Sequence, residues 1–320
     1  RRVEHPGMMW MGIIGCSAPG RYRRAVISGI IYTARPKQWL KNVLVFAAPG
    51  AAGVLNQGRP FGLTVLAFVS FCLASAAVYF LNDLIDVEAD QKHPKKRFRP
   101  IAAGDVPINV AWLACVAFGA AALGVAALTE RWQTVAIVGL YLVVNFAYNL
   151  GLKRIPVVDL VAVASGFVLR AAAGAVAVDV PMSRWFVLCI TFGSLFIVVG
   201  KRYAELNEMG KGSGTRVTLD SYSVGYLRIL LSVSCGAALL SYCVWAFETS
   251  EASAATSGSS FDFPFYELSI VPMLTALFRY LLVLEQGGGG APEEVFAKDR
   301  VLQLLGLCWI IVYGVAVYAA

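Results

Sequence analysis

The stretch GLTVLAFVSFCLASAAVYFLNDLIDVEAD, residues 62–90, decides how the whole chain is read. From Gly62 to Leu81 it carries no charge, and a helix of that length covers about 30 Å, the thickness of a bilayer's hydrocarbon. From Asn82 onward it turns acidic without a turn signal. A membrane-spanning helix therefore runs directly into a run of carboxylates. Barrel strands are excluded, because they would alternate apolar and polar residues where this run is uniformly apolar.

Working outward, similar apolar runs recur near 38–56, 106–128, 132–152, 156–178, 184–203, 224–247, 263–284 and 301–320. With 58% hydrophobic and 15% charged residues, the chain is far more apolar than the roughly 45–50% of soluble domains. The fold class that follows is an all-α integral membrane protein, a bundle of about nine transmembrane helices. Residues 1–34 read as a cytoplasmic N-terminal arm and 35–320 as a single transmembrane catalytic domain. The run 38–56 is interrupted by Pro49, Gly50 and Gly53. Seven scattered cysteines show no CxxC or metal-type spacing and read as small core residues.

The net charge of +7 does not point to nucleic acid here, because the basic residues lie in short loops between apolar spans. Phosphates at the membrane surface are the partners that this placement suits. With the N-terminus inside, 22 Lys and Arg fall on the cytoplasmic side and three, Arg59, Arg131 and Arg184, on the other. That asymmetry predicts a multi-pass membrane protein with its polar chemistry on the cytoplasmic side.

Asn82, Asp83, Asp86 and Asp90 form an NDxxDxxxD pattern. On a helix, Asn82, Asp86 and Asp90 fall within about 80° of one another, and Asp83 adds about 20°. Stacked carboxylates destabilise a helix unless a cation sits among them. Oxygen ligands of this kind suit Mg²⁺, which keeps waters and bridges to substrate phosphates. An acidic helix end neutralised by the following Lys92–Arg99 run is the plainer alternative, but the motif begins inside an apolar span, where ionisable groups are functional by default.

Cations surround this motif in the sequence. Lys96, Arg97 and Arg99 follow it, Lys153 and Arg154 end the fourth span, Lys201 and Arg202 end the sixth, and Lys37 precedes the first. If these ends converge they ring one cavity and can hold phosphates; topology signals touching lipid headgroups account for some of them. Tyr79, one turn before Asn82, could meet a substrate phosphate or pack. Arg170 is expected to answer a carboxylate on another helix or an acceptor phosphate, and Asp159 to orient Lys153 or Arg154. The polar segment 205–221 could be a loop or a lid.

NDxxDxxxD after the second span, Arg35-Pro36 before the first and Tyr148 to Arg154 after the fourth resemble the UbiA-type intramembrane prenyltransferase superfamily, over roughly residues 33–320. Members typically carry a second Asp-rich motif after the sixth span, whereas this chain has Lys201-Arg202-Tyr203-Ala204-Glu205. That departure, with RPKQWLKN, YNLGLKR, DLVAVASGFVLRAAAGA and GKRYAEL, is similar to the superfamily's decaprenyl-phosphate phosphoribosyltransferase branch. The resemblance implies a donor, phosphoribosyl pyrophosphate, an acceptor, decaprenyl phosphate, and a product that feeds cell-wall arabinan synthesis. Extra cations at Lys201 and Arg202 agree with a donor that carries a 5-phosphate. A prenyltransferase using a prenyl diphosphate and an anion transporter are the alternatives, although a transporter gives no reason for NDxxDxxxD.

Overall fold

A computed structural model describes residues 19–209, 218–257, 263–290 and 292–318. Residues 1–18 of the expected arm and 210–217 of the polar segment 205–221, read as a loop or a lid, lie outside the described residues. Every regular element among the described residues is helical. The order is α1 (Pro19–Ala34), a 3-10 helix (Pro36–Phe46), α2 (Ala47–Ala51), α3 (Gly58–Ile85), α4 (Val87–Lys92), α5 (Ile108–Ala127) and α6 (Trp132–Leu150). Then come α7 (Val158–Ala177), α8 (Arg184–Met209), α9 (Val224–Ser257), α10 (Phe265–Leu268), α11 (Ile270–Glu285), α12 (Pro292–Lys298) and α13 (Arg300–Tyr318).

Among the described residues, eight segments are long and apolar enough to cross a membrane: α3, α5, α6, α7, α8, α9, the joined α10–α11 and α13. Their outward faces are apolar, as at Leu113, Val116, Leu304 and Ile310, all exposed. Such surfaces are stable against lipid and not against water. The chain is a multi-pass membrane protein, and each of these eight segments coincides with a run expected from the sequence.

The remaining run, 38–56, departs from that expectation. It is no α-helical span but the 3-10 helix followed by one short turn of α2. At about 2.0 Å per residue for the 3-10 part and 1.5 Å for the α part, residues 36–51 still have a contour length of about 30 Å. Pro36 starts this helix and Arg35 precedes it in the left-handed region, φ 51° and ψ 60°. Such a conformation is uncommon outside glycine and persists only where the surroundings hold it.

Two of the bundle's apolar cores meet at α7. One joins α3, α5, α6 and α7 through Ala67, Phe71, Ala122, Val138 and Ala173. The other joins α7, α8, α9 and α11 through Leu160, Phe196, Leu231 and Leu284. α7 contributes its C-terminal half to the first core and its N-terminal half to the second, so it is the seam between them. Fully buried Ala74, Ala76 and Ala77 let neighbours approach α3 closely. Helix α1 packs on α3, with Ala34 buried beside Phe80 and Ile101. The six described cysteines are free thiols, as their scatter implies.

Candidate active site

The acidic motif stays in helical register although α3 formally ends at Ile85. Asp86 N–H donates to the Asn82 carbonyl at 3.0 Å, and Asp90 N–H to the Asp86 carbonyl at 2.8 Å. Within that register the carboxylates sort by depth. Asp83 and Asp90 are buried, their side chains 3% exposed, whereas Asp86 is 32% exposed. Asn82 is half-buried beside Asp86.

Buried carboxylates need partners, since a desolvated charge without one is costly. Arg99 supplies one to both. Its Nη1 lies 2.6 Å from Asp90 Oδ2 and 3.1 Å from Asp83 Oδ1. Arg35 Nη2 adds a second cation at 2.6 Å from Asp83 Oδ1, with its guanidinium over the Tyr79 ring. Asp86 meets Lys153 Nζ at 3.0 Å. Among the described residues no three His, Cys, Asp or Glu side chains are grouped as a ready metal site. The donors left accessible, Asn82 and Asp86, are hard oxygen ligands one turn apart. That set suits an ion such as Mg²⁺, which takes one or two protein ligands and fills its remaining positions with water and phosphate oxygens.

A cavity of about 280 Å³ opens nearby, between the 3-10 helix, α6, α7, α8 and α12. Lys37, Lys41 and Lys201 bring positive charge to it, while Val163, Phe167 and Phe296 supply apolar wall. Two elements join it to the aspartates. The 3-10 helix places Arg35 on Asp83 and Lys37 in the cavity; α6 places Tyr148 in the cavity, and the turn after it places Lys153 on Asp86.

Lys201 and Arg202 have different surroundings. Arg202 is 3% exposed, its Nε 3.4 Å from Asp159 Oδ2 and its Nη1 3.2 Å from Glu205 Oε2. Asp159 also accepts from Thr218 Oγ1 at 3.2 Å and Tyr222 Oη at 2.6 Å. Tyr222 Oη in turn accepts from the Val157 N–H at 2.6 Å, next to a backbone held at φ 69°. Burial, followed by the bond to Asp159, raises the Tyr222 hydroxyl far above the ordinary tyrosine range. Asp159 thus orients Arg202 and not Lys153 or Arg154, and it ties α7 to α8 and to the chain entering α9.

Arg170 also departs from expectation, because its partners are neutral oxygens of Asn42, Gly166, Tyr141 and Ser75. Lys96 is half-buried and Arg97 exposed on the loop after α4, where Arg97 stacks over Phe98. His93 Nδ1 shapes that loop by accepting the Lys95 and Lys96 N–H groups. Arg154 is exposed at the turn after α6. Sequence reasoning missed Arg35 as a partner of the acidic motif. The signal available was an arginine fixed next to a proline at the start of a membrane segment.

A family model described as the UbiA prenyltransferase family matches residues 43–298. The decaprenyl-phosphate phosphoribosyltransferase of Corynebacterium glutamicum is 44% identical over 295 residues, 91% of this chain and 87% of that protein. Its counterpart in Mycolicibacterium smegmatis is 43% identical over 302 residues, 92% of this chain and 93% of that one. Among solved structures, a UbiA homolog from Archaeoglobus fulgidus bound to GPP and Mg²⁺ superposes with a TM-score of 0.67 at 18% identity, over 91% of this chain and all of that one. At that identity the superposition speaks to the fold alone. The matched family model, the relatives and the helical architecture agree: the chain belongs to the UbiA prenyltransferase family.

Proposed function

We propose that the chain transfers the 5-phosphoribosyl group of phosphoribosyl pyrophosphate to decaprenyl phosphate, releasing pyrophosphate and forming decaprenylphosphoryl-5-phosphoribose. The single observation that carries this reading is a pair of accessible oxygen ligands, Asn82 and Asp86, joined through Lys153 and the end of α6 to a lysine-bearing, apolar-walled cavity. An anionic lipid needs both characters of that cavity at once. The relatives that match over most of this chain carry this activity in their names, which supports the same assignment.

Asn82 and Asp86 would hold Mg²⁺, which when bound neutralises negative charge gathering on the leaving pyrophosphate. Arg35 and Arg99 hold Asp83 and Asp90 in place, so that the helix end keeps its shape. Lys37 and Lys201 bind phosphate oxygens from the cavity side, and Lys153 can move from Asp86 to the incoming phosphates. The acceptor phosphate is already anionic at neutral pH, so its oxygen attacks ribose C1 without a strong general base. Apolar side chains beside it exclude competing water. The charge asymmetry of the loops supports a site on the cytoplasmic side of the membrane, taken here as the plasma membrane. Residues 35–320 form the catalytic domain.

Incubating purified protein with labelled phosphoribosyl pyrophosphate and decaprenyl phosphate, with and without EDTA, tests the reading. Label moving into the lipid fraction in a metal-dependent way is expected. Transfer from a prenyl diphosphate, with none from phosphoribosyl pyrophosphate, would overturn it.

A further inference from the structure

A buried polar node crosses the bundle where α7 meets the 3-10 helix. Arg170 is 8% exposed. Its Nε donates to Asn42 Oδ1 at 2.7 Å, its Nη1 to the Gly166 carbonyl at 2.6 Å, and its Nη2 to Tyr141 Oη at 3.0 Å and Ser75 Oγ at 3.4 Å. The guanidinium also lies over the Tyr141 ring, 4.8 Å from its centroid. A buried cation that meets only dipoles and ring faces is held less cheaply than one with a carboxylate, so stability alone is a poor account of it.

What the node grips is informative. Asn42 belongs to the 3-10 helix, directly after Lys41, and its Nδ2 also reaches Cys72 Sγ on α3 at 3.3 Å. One turn further along α7, Gly174 is so close to the same helix that a Cβ there would collide with the Val45 carbonyl. The 3-10 helix therefore lies directly on the α7 backbone, pinned by Arg170. Eleven residues is long for this geometry, whose internal hydrogen bonds are poor, so its shape depends on outside contacts. Its other end carries Arg35 to Asp83 and Lys37 to the cavity, and Lys41 faces the same cavity beside Asn42.

We infer that Arg170 is a positioning residue: through Asn42 it sets the register of the 3-10 helix, and with it the depth at which Lys37 and Lys41 meet a phosphate-bearing substrate. This rests on the phosphate-binding role proposed above for the cavity. Arg170 touches neither substrate, and its effect passes through the segment that it holds.

The test compares Asn42→Leu, Asn42→Asp, Arg170→Lys and Tyr141→Phe with Lys37→Ala as the reference for the cavity itself. Each is measured for KM and kcat with phosphoribosyl pyrophosphate, for thermal stability, and for amide exchange across residues 36–46. Removing the charge-assisted bond in Asn42→Leu or Arg170→Lys is expected to raise KM about tenfold, with faster exchange in that segment. kcat should stay within about twofold. Asn42→Asp keeps an oxygen for Arg170 Nε and should restore KM. Tyr141→Phe removes one hydrogen bond and should move KM in the same direction by less, which serves if Arg170→Lys does not fold. A merely structural node would lower stability and the active fraction and leave KM alone; that result, or unchanged exchange in Asn42→Leu, overturns the inference. Unchanged KM in Lys37→Ala as well would remove the cavity from donor binding, which is a failure of the reading beneath it.

Discussion

Lys153 Nζ lies 3.0 Å from Asp86 Oδ1, which brings the turn after α6 onto the exposed carboxylate of the acidic motif. A cation already rests where the proposed chemistry needs positive charge, and Asn82 stands one turn earlier on the same face. Asp86→Ala and Asn82→Ala are each expected to abolish turnover and leave the thermal transition in detergent unchanged. Full activity in either variant, or in excess EDTA, contradicts the assignment.

Asp83 and Asp90 should behave in the opposite way. Both are buried on Arg99, and Asp83 also on Arg35, so removing one carboxylate takes away one of Arg99's two anionic partners, and removing Asp83 also takes the carboxylate from Arg35. Asp83→Ala or Asp90→Ala is expected to cost roughly 2–4 kcal/mol of stability, since the arginines retain some exposure to water. Lowered thermal stability, with turnover per folded molecule falling less than in Asp86→Ala, is the outcome to look for. Wild-type stability in both variants would move these residues from the structural to the metal-binding group.

How much of this was legible beforehand follows from distance along the chain. The eight α-helical segments and the acidic motif are local patterns, an apolar run of span length and charges at helical spacing, and both stand in the structure as read. The shape of residues 36–51 was not legible, because it is imposed by Arg170 and Gly174 on α7, far along the chain. Lys201 and Arg202 read as one basic pair and both border the cavity, yet neighbours on a helix point about 100° apart, and Arg202 turns its guanidinium to the buried Asp159. Asp83 and Asp86 were likewise indistinguishable as letters. Only packing sorts them into buried and accessible.

That sorting bears on the donor site. Lys37 and Lys201 line the cavity, whereas Lys96 and Arg97 lie on the loop after α4. Each charge-assisted bond to phosphate that an alanine variant removes should cost on the order of 1.5–3 kcal/mol of donor binding. The expected order is a large rise in KM for Lys37→Ala and Lys201→Ala and a smaller one for Lys96→Ala and Arg97→Ala. KM values unchanged in all four would place the donor's phosphates elsewhere.

The last prediction concerns donor identity. If cations in the C-terminal half of α8 answer the 5-phosphate, the enzyme should strongly prefer phosphoribosyl pyrophosphate over ribosyl pyrophosphate or any prenyl diphosphate. The two residues should then contribute differently. Lys201 lines the cavity, so Lys201→Ala should narrow the preference, because the ammonium it removes serves the 5-phosphate and not the leaving group. Arg202 is committed to Asp159 and Glu205, and its loss leaves two buried carboxylates short of a cation. Arg202→Ala should therefore lower stability first, with discrimination per folded molecule closer to wild type. Competition between the two ribosyl donors, measured on wild type and both single variants, separates these outcomes. Equal discrimination in wild type and Lys201→Ala would move the 5-phosphate away from this lysine, and a collapse of discrimination in a stably folded Arg202→Ala would transfer the role to its neighbour.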